Sequence, residues 1–192
     1  MNLEELKQKL EKTLNLAVKA HAGQFRKANP DGLQIPYVVH PIRLMELLYN
    51  WGLNRPEHLY ILQTALLHDV IEDTDMSAED LLAEGIDEEV ISNVVFMTYT
   101  GATKEEKAEY LKSFNKANVS VLVSKVGDRI LNIMDFMSHD PNYAKKYCFK
   151  AADLWDIFDK RKAEVANFLG EKITQRLSSQ IQVTRAMAEG EI

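Results

Sequence analysis

The stretch Leu66–Asp75 reads LLHDVIEDTD, and it places a histidine and four acidic residues directly after two leucines. The leucines end an apolar stretch with helical periodicity, which predicts a helix that packs into a protein core. Carboxylates beside such packing are costly, because a buried charge loses its hydration. A bound cation would compensate that cost. The segment therefore predicts a core helix that ends at a candidate metal site.

The rest of the chain also has apolar residues at helical spacing, and we find no convincing strand pair and no repeat. Predicted helices span residues 3–18, 41–51, 57–69, 78–84, 88–99, 119–137, 141–168 and 171–188, with another beginning after Thr103. Ser77 with Asp80, and Thr103 with Glu106, have the spacing of capping boxes. We therefore predict an all-α fold in a single compact domain over residues 1–192. Its motif-bearing core covers about 14–154, and C-terminal helices cover 155–190.

Composition excludes several classes of protein. The 192 residues suit one domain, and 46% hydrophobic with 27% charged residues is typical of a globular chain. A net charge of -6 argues against a general nucleic-acid surface, and no apolar run is long enough for a membrane span. The single cysteine, Cys148, and the absence of a signal-peptide pattern predict a cytoplasmic protein. The oligomeric state does not follow from the sequence.

Four residues form a candidate metal-binding set, namely His40, His68, Asp69 and Asp128. Imidazole and carboxylate groups together suit manganese, iron or zinc. A bound divalent cation would favour phosphohydrolase chemistry. Ordinary roles also fit these residues. A histidine at a helix start is often a surface or capping residue, and Asp128 has cationic neighbours with which it can pair on a solvated face. The residue pattern alone leaves both interpretations open.

Four sequence blocks carry a more specific resemblance. They are AHAGQFRK (20–27), PYVVHP (36–41), ALLHDVIEDT (65–74) and KVGDRILNI (125–133). In this order they resemble the hydrolase domain of RelA/SpoT alarmone enzymes and its small stand-alone relatives, within the all-α HD phosphohydrolase superfamily. The resemblance covers about residues 14–154.

The resemblance implies an activity and a set of functional residues. It implies a manganese-dependent hydrolase that removes the 3′-pyrophosphate from guanosine 3′,5′-bis(diphosphate)-type alarmones, with another divalent transition metal as an option. The implied metal ligands are His40, His68, Asp69 and Asp128. Glu72 and Asp73 match an acidic pair that positions or activates the attacking water. One helical turn separates this pair from His68 and Asp69, so all four side chains can face one pocket.

The expected partner is a small nucleotide, and its phosphates need cations around them. The resemblance assigns phosphate contacts to Arg26 and Lys27. Lys125 and Asn132 share a helical face with Asp128, so we expect them to contact the substrate as well. Tyr147 matches a nucleotide-contacting tyrosine.

Departures from the family pattern concern the base pocket. The loop after Arg26 is longer than usual, Leu131 replaces a common histidine, and Tyr143 stands where a basic residue is usual. One alternative is therefore an HD hydrolase acting on another nucleotide, such as a deoxynucleoside triphosphate or a phosphorylated dinucleotide. A second alternative is a catalytically silent nucleotide-binding regulator. The complete set of metal and acidic residues argues against the silent protein.

Overall fold

Helix α3 (Leu59–Leu67) is the most enclosed element of the first half of the chain. In the computed structural model, which describes residues 3–26 and 33–190, every α3 residue except Tyr60 is buried. The neighbours that cover it are α1 (Leu3–Ala20), α2 (Val39–Trp51) and α6 (Glu88–Met97). A helix that is largely apolar and buried on every side needs such cover, which explains why α3 takes the central position.

The chain divides into two compact units, Met1–Thr100 and Gly101–Ile192. The first unit also contains a short 3₁₀ turn Pro56–His58, α4 (Val70–Asp73) and α5 (Ala78–Ala83). The second unit contains α7 (Lys104–Ser113), α8 (Val119–Met137), α9 (Pro141–Lys150), α10 (Ala152–Lys160), α11 (Lys162–Leu169) and α12 (Glu171–Glu189).

The all-α prediction is confirmed. Within residues 3–26 and 33–190 the only β-type pairing is one isolated antiparallel bridge between Phe25 and Pro36. None of the helices in these ranges is long and apolar enough to cross a membrane. The single domain over residues 1–192 stays a prediction.

Two buried hydrogen bonds connect α3 to its neighbours. The Gln63 side-chain amide donates to Thr13 Oγ1 on α1 at 2.8 Å, and the Asn93 amide on α6 donates to Thr64 Oγ1 at 3.2 Å. Buried amides need such partners, because an unsatisfied donor costs about 1–3 kcal/mol. The polar contacts therefore fix the orientation of α3 about its axis as well as its position.

Both predicted capping boxes are present. The hydroxyls of Ser77 and Thr103 accept from the backbone N–H groups of Asp80 and Glu106, and the two carboxylates bond back to the capping residues. Hydrogen bonds from Ser77 lower the pKa of the Asp80 carboxyl. These local bonds satisfy N–H groups that the first helical turn leaves without partners.

The second unit is built around α8, which contacts α9, α10, α11 and α12. The prediction of one helix over 141–168 is wrong, because turns at Ala151 and Arg161 divide this segment into α9, α10 and α11. A straight helix of that length would measure about 42 Å at 1.5 Å per residue, whereas α8 measures about 28 Å. The two breaks let successive apolar faces turn back onto α8.

Candidate active site

Three side chains converge where α3 ends and α2 begins. His40 lies in the first turn of α2, His68 directly follows α3, and Asp69 precedes α4. One potential ligand atom from each lies within 4.8 Å of the others. The Asp69 Oδ2 atom is 2.9 Å from His68 Nε2 and 3.9 Å from His40 Nε2. Two imidazoles and a carboxylate form a suitable ligand set for a divalent transition metal.

The hydrogen bond of His68 determines which ring nitrogen faces the cluster. Its Nδ1 atom lies 2.9 Å from the carbonyl oxygen of Ala65, and that oxygen can only accept a hydrogen bond. Nδ1 therefore carries a proton, and Nε2 is the ring nitrogen that faces Asp69 and can offer a lone pair to a cation when the ring is neutral. Two electron-pair donors at this separation suit a cation, and a backbone partner for the other nitrogen is typical of metal-binding histidines.

Tyr37 connects this cluster to the acidic pair. Its hydroxyl oxygen lies 2.7 Å from Oδ2 of Asp69 and 2.7 Å from Oδ2 of Asp73. Burial, together with the charges of Asp69 and Asp73, raises the pKa of the Tyr37 hydroxyl far above its usual value. The hydroxyl therefore stays protonated near neutral pH and acts as a hydrogen-bond donor to the carboxylates.

The strand-like segments before and after residues 27–32 form a clasp beside Asp73. Arg26 N–H donates to Ile35 O at 2.8 Å, and Tyr37 N–H donates to Gln24 O at 2.9 Å. The Gln24 side-chain amide donates to the Asp73 carbonyl oxygen at 2.6 Å. The Arg26 guanidinium lies 5.8 Å from the centre of the Tyr37 ring. Arg26 is thus held near the acidic pair, whereas Lys27 lies outside the described residues.

Glu72 and Asp73 are exposed, and each carboxylate has a different contact. Glu72 Oε2 accepts a hydrogen bond from the Tyr99 backbone N–H at 2.8 Å. Asp73 faces Tyr37, as described above. The two carboxylates therefore differ in their surroundings: Glu72 is anchored to the end of α6, and Asp73 is connected through one hydroxyl to the metal-ligand candidate Asp69.

The remaining predicted site residues lie in the second unit. The Asp128 side chain is buried on α8, with Lys125 Nζ 3.1 Å from its Oδ2. The Asn132 amide donates to Asp128 Oδ1. The alternative interpretation pairs Asp128 with a cation on a solvated face. The cation is present, but the face is buried. Tyr147 stacks under Arg129, whose Cζ atom is 4.3 Å from the ring centre.

Sequence reasoning missed Tyr37 and Gln24. Both stand inside quoted blocks, PYVVHP and AHAGQFRK, but a tyrosine three positions before a histidine suggests only packing. Tyr37 does pack against His21, with ring centroids 4.8 Å apart and the ring planes tilted by 31°. No signal in the sequence identifies their contacts with Asp69 and Asp73, because these contacts join residues that lie 32 to 49 positions apart.

Comparison with known proteins gives related sequences. A guanosine-3′,5′-bis(diphosphate) 3′-pyrophosphohydrolase of Danio rerio is 29% identical over 130 residues, covering 64% of this chain and 66% of that protein. The enzyme of the same name from Vibrio cholerae is 29% identical over 150 residues, covering 73% of this chain and 20% of that protein. A GTP pyrophosphokinase of Streptomyces coelicolor is 28% identical over 135 residues, covering 65% of this chain and 14% of that protein. No family model matches the chain.

The chain spans about a fifth or less of the length of these bacterial relatives. Its fold is that of a solved metazoan ortholog of SpoT, described as hydrolysing ppGpp and playing a role in starvation responses. The TM-score is 0.74 at 23% identity, over 96% of this chain and 97% of that one. The resemblance to the RelA/SpoT-type hydrolase family is confirmed.

Replacing His68 with alanine tests the three-residue cluster. The change removes one imidazole from a set of three ligands, so the variant should lose most of the roughly one equivalent of divalent metal expected for a single site. Elemental analysis after desalting in the presence of trace Mn²⁺ measures the content. His139→Ala is the matched control, because His139 is exposed and lies in the second unit. Full metal content in His68→Ala would remove His68 from the ligand set.

Proposed function

We propose that this chain, a relative of the RelA/SpoT-type alarmone hydrolases, removes the 3′-pyrophosphate from guanosine 3′,5′-bis(diphosphate)-type nucleotides. One observation carries the proposal: the His40–His68–Asp69 cluster lies one hydroxyl away from Asp73. A potential cation site and an adjoining acid are the two parts that metal-assisted hydrolysis of a phosphate ester requires. The names of the related sequences supply the substrate class.

The proposed cofactor is Mn²⁺, with His40, His68, Asp69 and Asp128 as its ligands. The mixed nitrogen and oxygen donors of the described cluster suit this ion, although iron and zinc have similar preferences. When bound, the ion would polarise a phosphoryl oxygen and lower the pKa of a water molecule. The protein residues supply the positioning and the proton transfer.

Hydrolysis forms a bond between water oxygen and phosphorus and breaks the bond from phosphorus to the nucleoside 3′-oxygen. The water must lose a proton, and a carboxylate beside the cluster is the natural acceptor. Glu72 and Asp73 are the proposed acceptors. Their anchors, the Tyr99 N–H and the Tyr37 hydroxyl, hold each carboxylate in one orientation. The 3′-oxygen then takes up a proton as GDP or GTP leaves.

Cations of the chain would hold the phosphates. Arg26 is proposed to contact them from the clasp, because its planar guanidinium can bind two phosphate oxygens at once. Lys27, Lys125, Asn132 and Tyr147 are proposed as further substrate contacts. The single cysteine is consistent with a reducing compartment, so the proposed activity is a cytoplasmic one.

A nucleotide panel tests the proposal. Purified protein with Mn²⁺ is incubated with guanosine tetraphosphate, guanosine pentaphosphate, deoxynucleoside triphosphates and a 2′-phosphorylated dinucleotide, and the products are separated by ion-exchange chromatography. Release of pyrophosphate with GDP or GTP from the first two supports the proposed substrate. Cleavage of another member alone would support the alternative hydrolase, and binding without any product would support the silent regulator.

Asp128→Asn tests the fourth ligand. Asparagine keeps the size of the side chain but removes its charge and replaces one acceptor oxygen with a donor, so Mn²⁺ affinity should fall by at least the roughly 10–100-fold that is typical when an outer-shell partner is lost. Isothermal titration with Mn²⁺ alone measures the change. Asp135→Asn, on the same helix, is the control. Equal Mn²⁺ affinity in Asp128→Asn and the control would contradict the four-ligand set.

Glu72→Gln tests the proposed proton acceptor. Glutamine keeps an oxygen for the Tyr99 N–H, so fold and metal content should persist. Loss of a general base typically lowers kcat about 10²–10⁴-fold. The measurement is kcat and metal content on one preparation, with Glu79→Gln on α5 as the exposed control. A kcat within a factor of about three of the wild type would leave Asp73 as the acceptor.

Arg26→Ala tests the phosphate contact. A hydrogen bond to a charged group contributes about 1.5–3 kcal/mol, so KM should rise about tenfold or more with a smaller change in kcat. Steady-state kinetics on guanosine tetraphosphate measures both constants. Arg55→Ala, an exposed arginine of the same unit, should leave them unchanged. If Arg26→Ala behaves like this control, Arg26 makes no substrate contact.

A further inference from the structure

The Tyr37 hydroxyl stands between two carboxylates that have different proposed roles. Asp69 belongs to the metal-ligand cluster, and Asp73 belongs to the acidic pair. Both Oδ2 atoms are 2.7 Å from the same phenolic oxygen. One O–H group carries one hydrogen, so a full-strength hydrogen bond forms to only one of these carboxylates at a time.

Asp73 has a fixed backbone but an exposed side chain. Its N–H donates to Asp69 O at 2.8 Å, and its carbonyl oxygen accepts from the Gln24 amide at 2.6 Å. These hydrogen bonds fix the backbone of Asp73, but they do not fix its side-chain torsions. The hydroxyl of Tyr37 supplies the contact that defines the direction of the carboxylate.

The position of Tyr37 itself is well determined. Its ring packs against buried His21 and lies beneath the guanidinium of Arg26. Its backbone N–H donates to Gln24 O, and its carbonyl oxygen accepts from the His40 N–H at 2.9 Å. A hydroxyl carried on such a fixed ring can orient a neighbouring carboxylate, since little entropy is lost when the hydrogen bond forms.

Occupation of the metal site changes the competition for the single hydrogen. A cation bound by Asp69 would neutralise much of the charge on that carboxylate and make it a weaker acceptor. Asp73 keeps its full charge and would then be the stronger acceptor. The O–H group would donate to Asp73 when the metal is present and would be shared or drawn to Asp69 when it is absent.

We infer that Tyr37 is a positioning residue that couples occupation of the metal site to the orientation of Asp73. It does not contact the reacting atoms and acts through the carboxylate that it orients. This inference rests on the proposed function, because it assigns a task to one residue of the same site. It also explains why a hydroxyl stands at this position, since a phenylalanine ring would serve the packing equally well.

A double-mutant cycle on kcat tests the coupling, using Tyr37→Phe, Asp73→Ala and the double variant. Tyr37→Phe keeps the ring contacts and removes only the oxygen, so kcat should fall about 10–100-fold, as is typical for outer-shell partners, with little change in KM. The double variant should have the kcat of Asp73→Ala within about threefold, because Tyr37 acts only through Asp73. Tyr49→Phe, at an exposed tyrosine of α2, is the control and should match wild type in kcat and thermal unfolding.

A crystal structure of Tyr37→Phe grown with Mn²⁺ supplies a readout that does not depend on activity. The Asp73 carboxylate should leave the position that it has in wild-type crystals grown with Mn²⁺, while Asp69 keeps its place. Multiplicative losses in the cycle, or an unmoved Asp73 in the crystal, would overturn the inference. If the wild type releases no pyrophosphate from guanosine tetraphosphate, the proposed function fails, and the crystal structure still decides whether Tyr37 orients Asp73.

Discussion

The Asp69 carboxylate is the group on which the first unit's polar architecture depends. It lies where α3 ends, and it is approached by two imidazoles and one phenol hydroxyl. Gathering these groups beside a core is unfavourable without a compensating charge. The buried leucines of α3 offset the cost, at about 1.5–3 kcal/mol for each fully buried side chain. The apolar helix therefore stabilises the position from which the polar cluster extends.

The clasp formed by residues 24–26 and 35–37 fixes the backbone of Arg26. Two backbone hydrogen bonds connect its segments, and the Gln24 side chain attaches it to the carbonyl oxygen of Asp73. Loops usually carry the binding residues of a protein but are also its most mobile parts. Here Gln24 connects the clasp to α4, the short helix that carries Glu72 and Asp73. The clasp that carries Arg26 is therefore hydrogen-bonded directly to the backbone of Asp73.

Much of the fold follows from the sequence, since apolar periodicity and capping boxes depend on nearby residues. The helix boundaries at Ala151 and Arg161 do not, because neither position has the glycine or proline that marks most helix ends. They arise from the need to pack three short helices on α8. The role of Tyr37 is equally invisible in the sequence, because a hydroxyl bridging residues 69 and 73 requires a long-range contact. The His40, His68 and Asp69 cluster was predicted from resemblance, and the described geometry brings these three together.

The two units compensate buried charge in different ways. On α8, Asp128 has a lysine three positions before it and an asparagine four positions after it, so helical spacing alone supplies a cation and a donor. In the first unit the Asp69 carboxylate lies beside two imidazoles and a phenol hydroxyl, so no lysine or arginine is among these three neighbours. The Asp128 carboxylate therefore has a lysine partner on its own helix, which a bound metal would supplement, whereas two of the groups around Asp69 can themselves bind a metal. That difference is the physical reason for proposing that the metal site is centred at the end of α3.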